Sequence, residues 1–241
     1  MKTLSFVIPF RDKGSNRRRQ ILDWNVRRLN KLFPGSEVLV ASDNGEGAFN
    51  RSQACNNGAK VASGDILCIV DSDTVFNSHT VSVGRQALDH SPWVIPYGTY
   101  YRTDKASGDN LLYMQPNAPI THYMLTYTHV FDFPPTKYEE AVSGLIMVPR
   151  EGYLDMGGFN EDFTGWGYED RGFVRAADVI LGGHGRCLDG EVFHIWHEEP
   201  PETTWQNPAL LNNKELYEKM CAIDDPEEMR ELNVNLSTTG N

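Results

Sequence analysis

Apolar runs and amphipathic stretches take turns along roughly the first hundred residues of this chain. Leu4 to Pro9 is an apolar run of strand length. Arg17 to Phe33 follows with a helical period, placing Leu22, Val26, Leu29 and Phe33 on one face before Pro34-Gly35 stops it. Glu37 to Ala41 predicts a second strand and Asp43-Asn44-Gly45 a turn. Asn50 or Ser52 can cap a helix through Ala54, Gly58 and Val61. Ile66-Leu67-Cys68-Ile69-Val70, entered through Gly64-Asp65, predicts a strand buried on both faces. A helix from Ser78 to about Asp89 and a strand from Trp93 to Pro96 complete the series. Strands joined by helical crossovers imply an α/β fold: a Rossmann-like, mostly parallel sheet flanked by helices.

That rhythm breaks between Tyr97 and Pro135, where tyrosines, prolines and polar residues mix without a period. Loops with short strand or helix pieces are expected there, and Tyr100, Tyr101, Tyr113, Tyr123 and Tyr127 suit either satellite core or stacking on a flat ligand. Ala141 to Val148 resumes as a strand, and Pro149 opens a short helix that Gly157-Gly158 ends. Glu169 to Leu181 predicts a helix, Val192 to Trp196 a last strand, and the acidic tail from Lys214 is helical in pattern, with 235–241 frayed. The expected organisation is one domain over 1–205, in two halves (1–96 and 97–205), and a helical, partly frayed extension over 206–241.

Composition narrows the function classes. A chain of 241 residues with 40% hydrophobic and 23% charged residues has the make-up of a globular protein with a sizeable core. No stretch reaches the roughly 18 apolar residues that cross a bilayer, and the first residues read as a strand rather than a signal peptide. Cys55, Cys68, Cys187 and Cys221 lack metal-site or disulfide spacing, which favours reduced thiols and the cytoplasm. A net charge of −11 argues against gripping nucleic acid, and Arg17-Arg18-Arg19 with Arg27-Arg28 read either as the solvated face of a helix or as a local basic rim beside an anionic ligand.

The chemistry is densest at Asp71-Ser72-Asp73, where two carboxylates emerge from the carboxyl end of the buried strand. Open α/β sheets bind ligands at that end. Paired acids beside a core call for a cation, and a divalent metal held by one or two carboxylates commonly carries a substrate phosphate. Pro9-Phe10-Arg11, Asp43 and Arg51 fall at neighbouring strand ends or helix starts and converge on the same crevice.

The order Ile8-Pro9-Phe10-Arg11, Phe49-Asn50-Arg51 with Asn57-Gly58, Asp71-Ser72-Asp73, and Gly165-Trp166-Gly167-Tyr168-Glu169-Asp170 resembles the β-1,4-galactosyltransferases. It is also similar to the galactosaminyltransferase modules of bacterial chondroitin synthases, within the inverting glycosyltransferases of GT-A fold. The resemblance implies that Pro9, Phe10, Arg11 and Arg51 hold the uridine diphosphate of a nucleotide sugar, with Asp43 and Ser72 on the same side. It implies Mn2+ or Mg2+ on Asp71 and Asp73, chiefly Asp73, with His197 as a late ligand and His194 as the alternative. Trp166 and Gly167 would lie in a loop over the donor, with Glu169 and Asp170 as acceptor-binding and catalytic carboxylates, Asp170 as general base. Arg171 stands where the galactosyltransferases carry another acid and Tyr168 where they carry glycine, so donor sugar and acceptor are not carried over. The acceptor class stays open among glycan, glycolipid, protein and modified nucleic acid.

Three alternatives accompany this reading. A retaining transferase of the same fold needs the same acids. Asp71-Ser72-Asp73-Thr74-Val75 also fits the nucleophile loop of haloacid-dehalogenase-like phosphatases, which place it on the first strand, whereas two β-α units precede it here. A non-catalytic sugar-binding protein would not need the acids at 71, 73, 169 and 170.

Overall fold

The computed structural model describes residues 2–45, 47–132, 143–198 and 207–233. In chain order the elements begin with β1 (Leu4–Pro9), α1 (Asn16–Leu32), β2 (Glu37–Ala41), α2 (Arg51–Val61) and β3 (Ile66–Val70). β4 (Thr74–Phe76), α3 (Ser78–Ala87), β5 (Val94–Ile95), β6 (Thr99–Thr103) and α4 (Lys105–Tyr113) follow. A 3-10 turn (His122–Met124) leads to β7 (Tyr127–Asp132), β8 (Leu145–Pro149) and α5 (Arg150–Asp155). The rest comprises α6 (Glu169–Ile180), β9 (Gly185–Arg186), β10 (Glu191–His194), α7 (Pro208–Cys221) and α8 (Pro226–Asn233).

The expected β-α-β-α-β start is present, but the mostly parallel single sheet is corrected to two mixed sheets. The larger runs β2-β1-β3-β8-β5-β9 and the smaller β4-β10-β6-β7. β1 pairs parallel with β2 and β3, while β8 lies antiparallel between β3 and β5. The reason lies at the carboxyl end of β3. There the chain leaves the first sheet, and β4 starts the second within a few residues. β8 begins at that same end, where Asp71 N–H donates to the Gly144 carbonyl at 3.1 Å, so it must run back against β3.

The segment from 97 that lacked a period contains β6, α4 and β7. α4 escaped the helical pattern because its buried face is made of Ser107, Gly108 and Leu111, too small and polar to register as a stripe. Asp104 caps it, accepting the Ser107 N–H at 2.7 Å. Tyr100 is buried and Tyr101 stacks on Phe193 at 5.1 Å, whereas Tyr113 and Tyr123 are exposed. The strand expected from Ala141 begins outside the described residues, as does the stretch 235–241.

β3 is buried throughout, as its composition demanded. α1 lies over the crossing: Asn25 donates to the Thr74 carbonyl at 2.9 Å and Arg28 to that of Phe76 at 2.9 Å. Arg28 also holds the carbonyls of Pro116 and Ala118, each at 2.8 Å, and burial pushes its pKa down to about 10. It is a buried clamp, not part of a basic rim. Burial pushes the Cys55 and Cys68 thiols up to about 12, which makes both inert. Met220 and Met229 of α7 and α8 sit in the main core with Phe173 of α6. Among the described residues no helix is long and apolar enough to cross a membrane.

α2 approaches β1 closely enough to need a glycine. A Cβ on Gly58 would lie 2.4 Å from a Val7 methyl and 3.0 Å from Ala41 Cβ. Overpacking costs about 1–3 kcal/mol, and the helix preference of alanine returns at most ~1 kcal/mol. We therefore expect Gly58→Ala to lower the melting temperature by roughly 3–6 °C, measured by calorimetry. An unchanged or raised value would contradict the packing.

Candidate active site

Two groups of side chains meet at the crossing between the sheets. The first is assembled by β-sheet register. β10 pairs antiparallel with β4, His194 opposite Thr74, and Ile195 N–H continues the ladder to the Asp73 carbonyl at 2.8 Å. This carries both histidines to the Asp73 carboxylate: His197 Nε2 lies 3.0 Å from Oδ2 and His194 Nε2 3.6 Å from Oδ1. Arg18, in the first turns of α1, comes within 3.8 Å of Oδ2.

Burial opposes the charge on Asp73, but His194, His197 and Arg18 outweigh it and hold the carboxyl far below its usual range. Burial pushes His194 down. His197 is also desolvated, yet its hydrogen bond to Asp73 raises it. One ligand atom from each of Asp73, His194 and His197 fits within a span of 4.8 Å. His197 Nδ1 is 2.9 Å from the Glu198 carbonyl and can only donate there. Nε2 of the neutral ring then turns a lone pair on a carboxylate, which a bound cation reconciles. The donor set therefore fits a metal ion. Imidazoles with one carboxylate suit Mn2+ better than Mg2+, which prefers oxygen and water.

The second group surrounds Arg51, the first residue of α2. Asn50 caps that helix, accepting the Gln53 N–H at 2.9 Å, and its amide donates to the Glu161 carbonyl at 2.7 Å. Arg51 thereby bridges Asp71 and Asp170, each at 2.6 Å. Asp71 also accepts the Gly144 N–H at 3.0 Å, so its carboxylate is committed away from the histidines. Of the two acids predicted for metal, only Asp73 joins the cluster with His194 and His197 that could hold an ion.

Glu169 and Asp170 open α6, with Glu169 accepting the Gly167 N–H at 2.9 Å. Three carboxylates thus crowd one guanidinium. Burial, then the charges of Glu169 and Asp71, push Asp170 up to about 8 against the pull of Arg51. Burial raises Glu169 as well. Arg51 is held ionised because the carboxylates outweigh its own desolvation.

Pro9 and Phe10 are buried at the end of β1, where Phe10 N–H donates to the Ala41 carbonyl at 2.8 Å. Arg11 does not stand open. It pairs with Asp43 at 3.0 Å, donates to the carbonyls of Gly45 and Gly47, and lies over the Phe49 ring. Ser72 is buried, its carbonyl facing the Asn25 amide at 3.4 Å. Trp166 is 38% exposed in a turn where Gly165, Gly167 and Tyr168 all have positive φ.

Two contributors were not legible as such. Arg18 belonged to a run that read as a helix face, and only its place in the first turns of α1 hinted at the crevice. Asn213 of α7, fully buried, donates to the carbonyls of Thr164 (3.1 Å) and Gly167 (2.8 Å) and shapes the Trp166 turn. No sequence pattern marks it.

Residues 126–178, which include β8, Trp166, Glu169 and Asp170, match a family model described as the N-terminal domain of galactosyltransferase. No curated protein is a significant sequence match. The catalytic domain of Drosophila β1,4-galactosyltransferase 7, in complex with xylobiose, is 18% identical with a TM-score of 0.52, over 94% of this chain and 84% of that one. Glucosyl-3-phosphoglycerate synthase from Mycobacterium tuberculosis, in complex with Mn2+, UDP-glucose and phosphoglyceric acid, is 15% identical with a TM-score of 0.54, over 93% and 81%. GalNAc-T7 with UDP, GalNAc and Mn2+ is 15% identical with a TM-score of 0.53, over 90% of this chain and 48% of that one. The chain has the GT-A glycosyltransferase fold, and the family match over residues 126–178 agrees with it.

The crowding of carboxylates has a measurable cost. Native Asp170, at about 8, keeps a proton that the unfolded chain releases near 3.8. The folded state thus binds more protons across that window, and the wild type loses stability as pH rises through it. Asp170→Asn cannot titrate. Without divalent cation or nucleotide, we expect its melting temperature to exceed that of the wild type by a margin that widens from about pH 5 to about pH 8. A margin independent of pH would refute the assignment.

Proposed function

We propose that this chain is a metal-dependent inverting glycosyltransferase, moving a sugar from a UDP-sugar to an acceptor hydroxyl. The observation that carries the reading is the adjacency of the two groups. Asp73, His194 and His197 form a cation site, and two residues away Asp71 leads through Arg51 to a carboxyl of raised pKa. Handle and base thus face one crevice from opposite sides.

Asp73, His194 and His197 would hold Mn2+, which supplies charge to stabilise the departing diphosphate without a proton. Pro9, Phe10 and Asp43 form the uridine side, and Arg11 fixes that wall by bracing Asp43 and the loop after it. Arg18 adds positive charge beside the leaving group. Trp166, on its constrained turn, would cover the donor sugar, and Glu169 holds the turn through the Gly167 N–H. Asp170 takes the proton of the acceptor hydroxyl as that oxygen attacks the anomeric carbon. With a pKa near the working pH, it is matched to that task. A carboxylate that takes the proton of the attacking hydroxyl is what a direct displacement with inversion requires.

Thermal shift and transfer assays with UDP-sugars test the roles separately. Asp170→Asn should retain the stabilisation by UDP with Mn2+ and lose about 10²–10⁴-fold in transfer rate. Asp73→Asn should lose the Mn2+-dependent part of the stabilisation. Wild-type kcat/KM should rise with pH, reach half its plateau near pH 8 and level off about one unit above that, because the base works only unprotonated. Full transfer by Asp170→Asn would sink the base assignment, and a product with the donor's anomeric configuration would sink inversion.

A further inference from the structure

Asp71 divides its carboxylate between two partners. Oδ1 takes Arg51 through Nε at 3.0 Å and Nη2 at 2.6 Å, while Oδ2 takes the Gly144 N–H at 3.0 Å. The remaining terminal nitrogen of Arg51 is left for Asp170, at 2.6 Å. Released from Gly144, Asp71 could turn both oxygens to the guanidinium, in the paired geometry that binds it best. How Arg51 is shared between the two acids therefore depends on the Gly144 N–H staying on Oδ2.

That N–H belongs to the same planar peptide as the Ser143 carbonyl, and the Tyr97 hydroxyl donates to this carbonyl. One peptide unit is thus pinned at both ends. The second pin matters because Gly144 holds a φ of +99°, a region that glycine enters freely and leaves as freely. Tyr97 lies between β5 and β6 and is fully buried. Its ring is 5.9 Å from the Arg186 guanidinium and 6.2 Å from the Tyr100 ring. Burial pushes its hydroxyl far above the usual phenol range, so it remains a donor at every working pH.

We infer that Tyr97 is a positioning residue for the base: its hydroxyl fixes the Ser143–Gly144 peptide, which keeps Asp71 half on the backbone and leaves Arg51 shared with Asp170. This rests on the transferase reading, in which Asp170 is the base. Among the described residues, the groups that face Asp170 are Arg51 and Cys55 of α2, Asp71 after β3, Tyr97, and Glu169 beside it on α6. Cys55 and Tyr97 keep their protons through neutral pH and add no charge. Arg51 alone pulls Asp170 down, against burial, Glu169 and Asp71. Drawn wholly to Asp71, it would leave Asp170 holding its proton more tightly.

The test uses the full chain and Tyr97→Phe, which removes the hydroxyl, keeps the ring and should melt only a few degrees lower. The pH at which kcat/KM reaches half its plateau should rise by about half to one unit relative to the wild type. At about pH 7 the variant should therefore lose roughly three- to tenfold, and at about pH 10 it should match the wild type. A merely structural role would lower kcat/KM equally at every pH. That outcome, or a midpoint that stays or falls, overturns the proposal. Carboxyl 13C NMR of Asp170, assigned with Asp170→Asn, reads the same shift without metal, donor or turnover. An upward shift in a chain that transfers no sugar sinks the transferase reading and leaves the role of Tyr97 standing, whereas an unchanged titration sinks that role whatever the activity. A third measurement needs no variant and decides the matter even if Tyr97→Phe fails to fold. In the wild type the Gly144 amide proton should shift with the midpoint of Asp170, because Asp71 and Asp170 draw on one guanidinium. An amide indifferent to that titration overturns the proposal.

Discussion

Asp73 stands between two sheets, and its backbone and side chain are both committed there. Its carbonyl continues the β4–β10 ladder through Ile195, while its carboxylate gathers His194, His197 and Arg18. An acid this deep is tolerated only with compensating charge, because desolvation alone would neutralise it. The Asp73–His194–His197 cluster is thus a consequence of strand register. A shift of β10 by one residue would turn His194 to the other face and part it from Asp73. α1 guards that register from outside, through Asn25 and Arg28 on the carbonyls of Thr74 and Phe76.

On the other side of the crossing the balance is reversed. Asp71, Glu169 and Asp170 share Arg51, so negative charge exceeds positive among groups that are mostly out of water. Breaking a buried pair costs far more than forming one returns. Arg51 is therefore indispensable to the fold near the crevice even though it leaves one carboxyl poorly compensated. Evenly matched charges would stabilise the site but would leave Asp170 a weak base at neutral pH. Instability at Asp170 and basicity at Asp170 are the same quantity.

The framework was legible wherever a long element buries an apolar face: β1, β3, α1 and α6 lie within a residue or two of their predicted bounds. The second sheet was not, because β4 is three residues long and β6 and β7 lie in the stretch from 97 where polar and aromatic residues leave no clean alternation to read. At the site, the acids at 71 and 73 pointed to a cation by type and place, whereas the roles expected of 169, 170, 194 and 197 came only through the family resemblance. Their division of labour did not follow from types or spacing. Asp71 and Asp73 differ only in which partner arrives, Arg51 from α2 or two histidines from β10, and that is decided by contacts across more than a hundred residues for the latter. Arg11 and Arg51 looked like open cations for a phosphate, and both proved to be engaged by acids of the chain itself.

The Trp166 turn shows how far from the crevice its shape is decided. Tyr168 holds φ near +70°, a left-handed conformation that costs a non-glycine residue of order 1 kcal/mol or more. Glycine would be free of that cost. What offsets it here is packing: the Tyr168 ring lies 5.5 Å from that of Tyr217, and the Arg171 guanidinium sits 5.6 Å over it. Tyr217 belongs to α7, the same helix whose Asn213 ties down Thr164 and Gly167. α7 is in turn fixed by Met220 in the main core. α7 therefore acts as the brace of the turn that carries Trp166 and introduces Glu169 and Asp170, and Tyr168, with Arg171 over its ring, is the departure through which that brace takes hold.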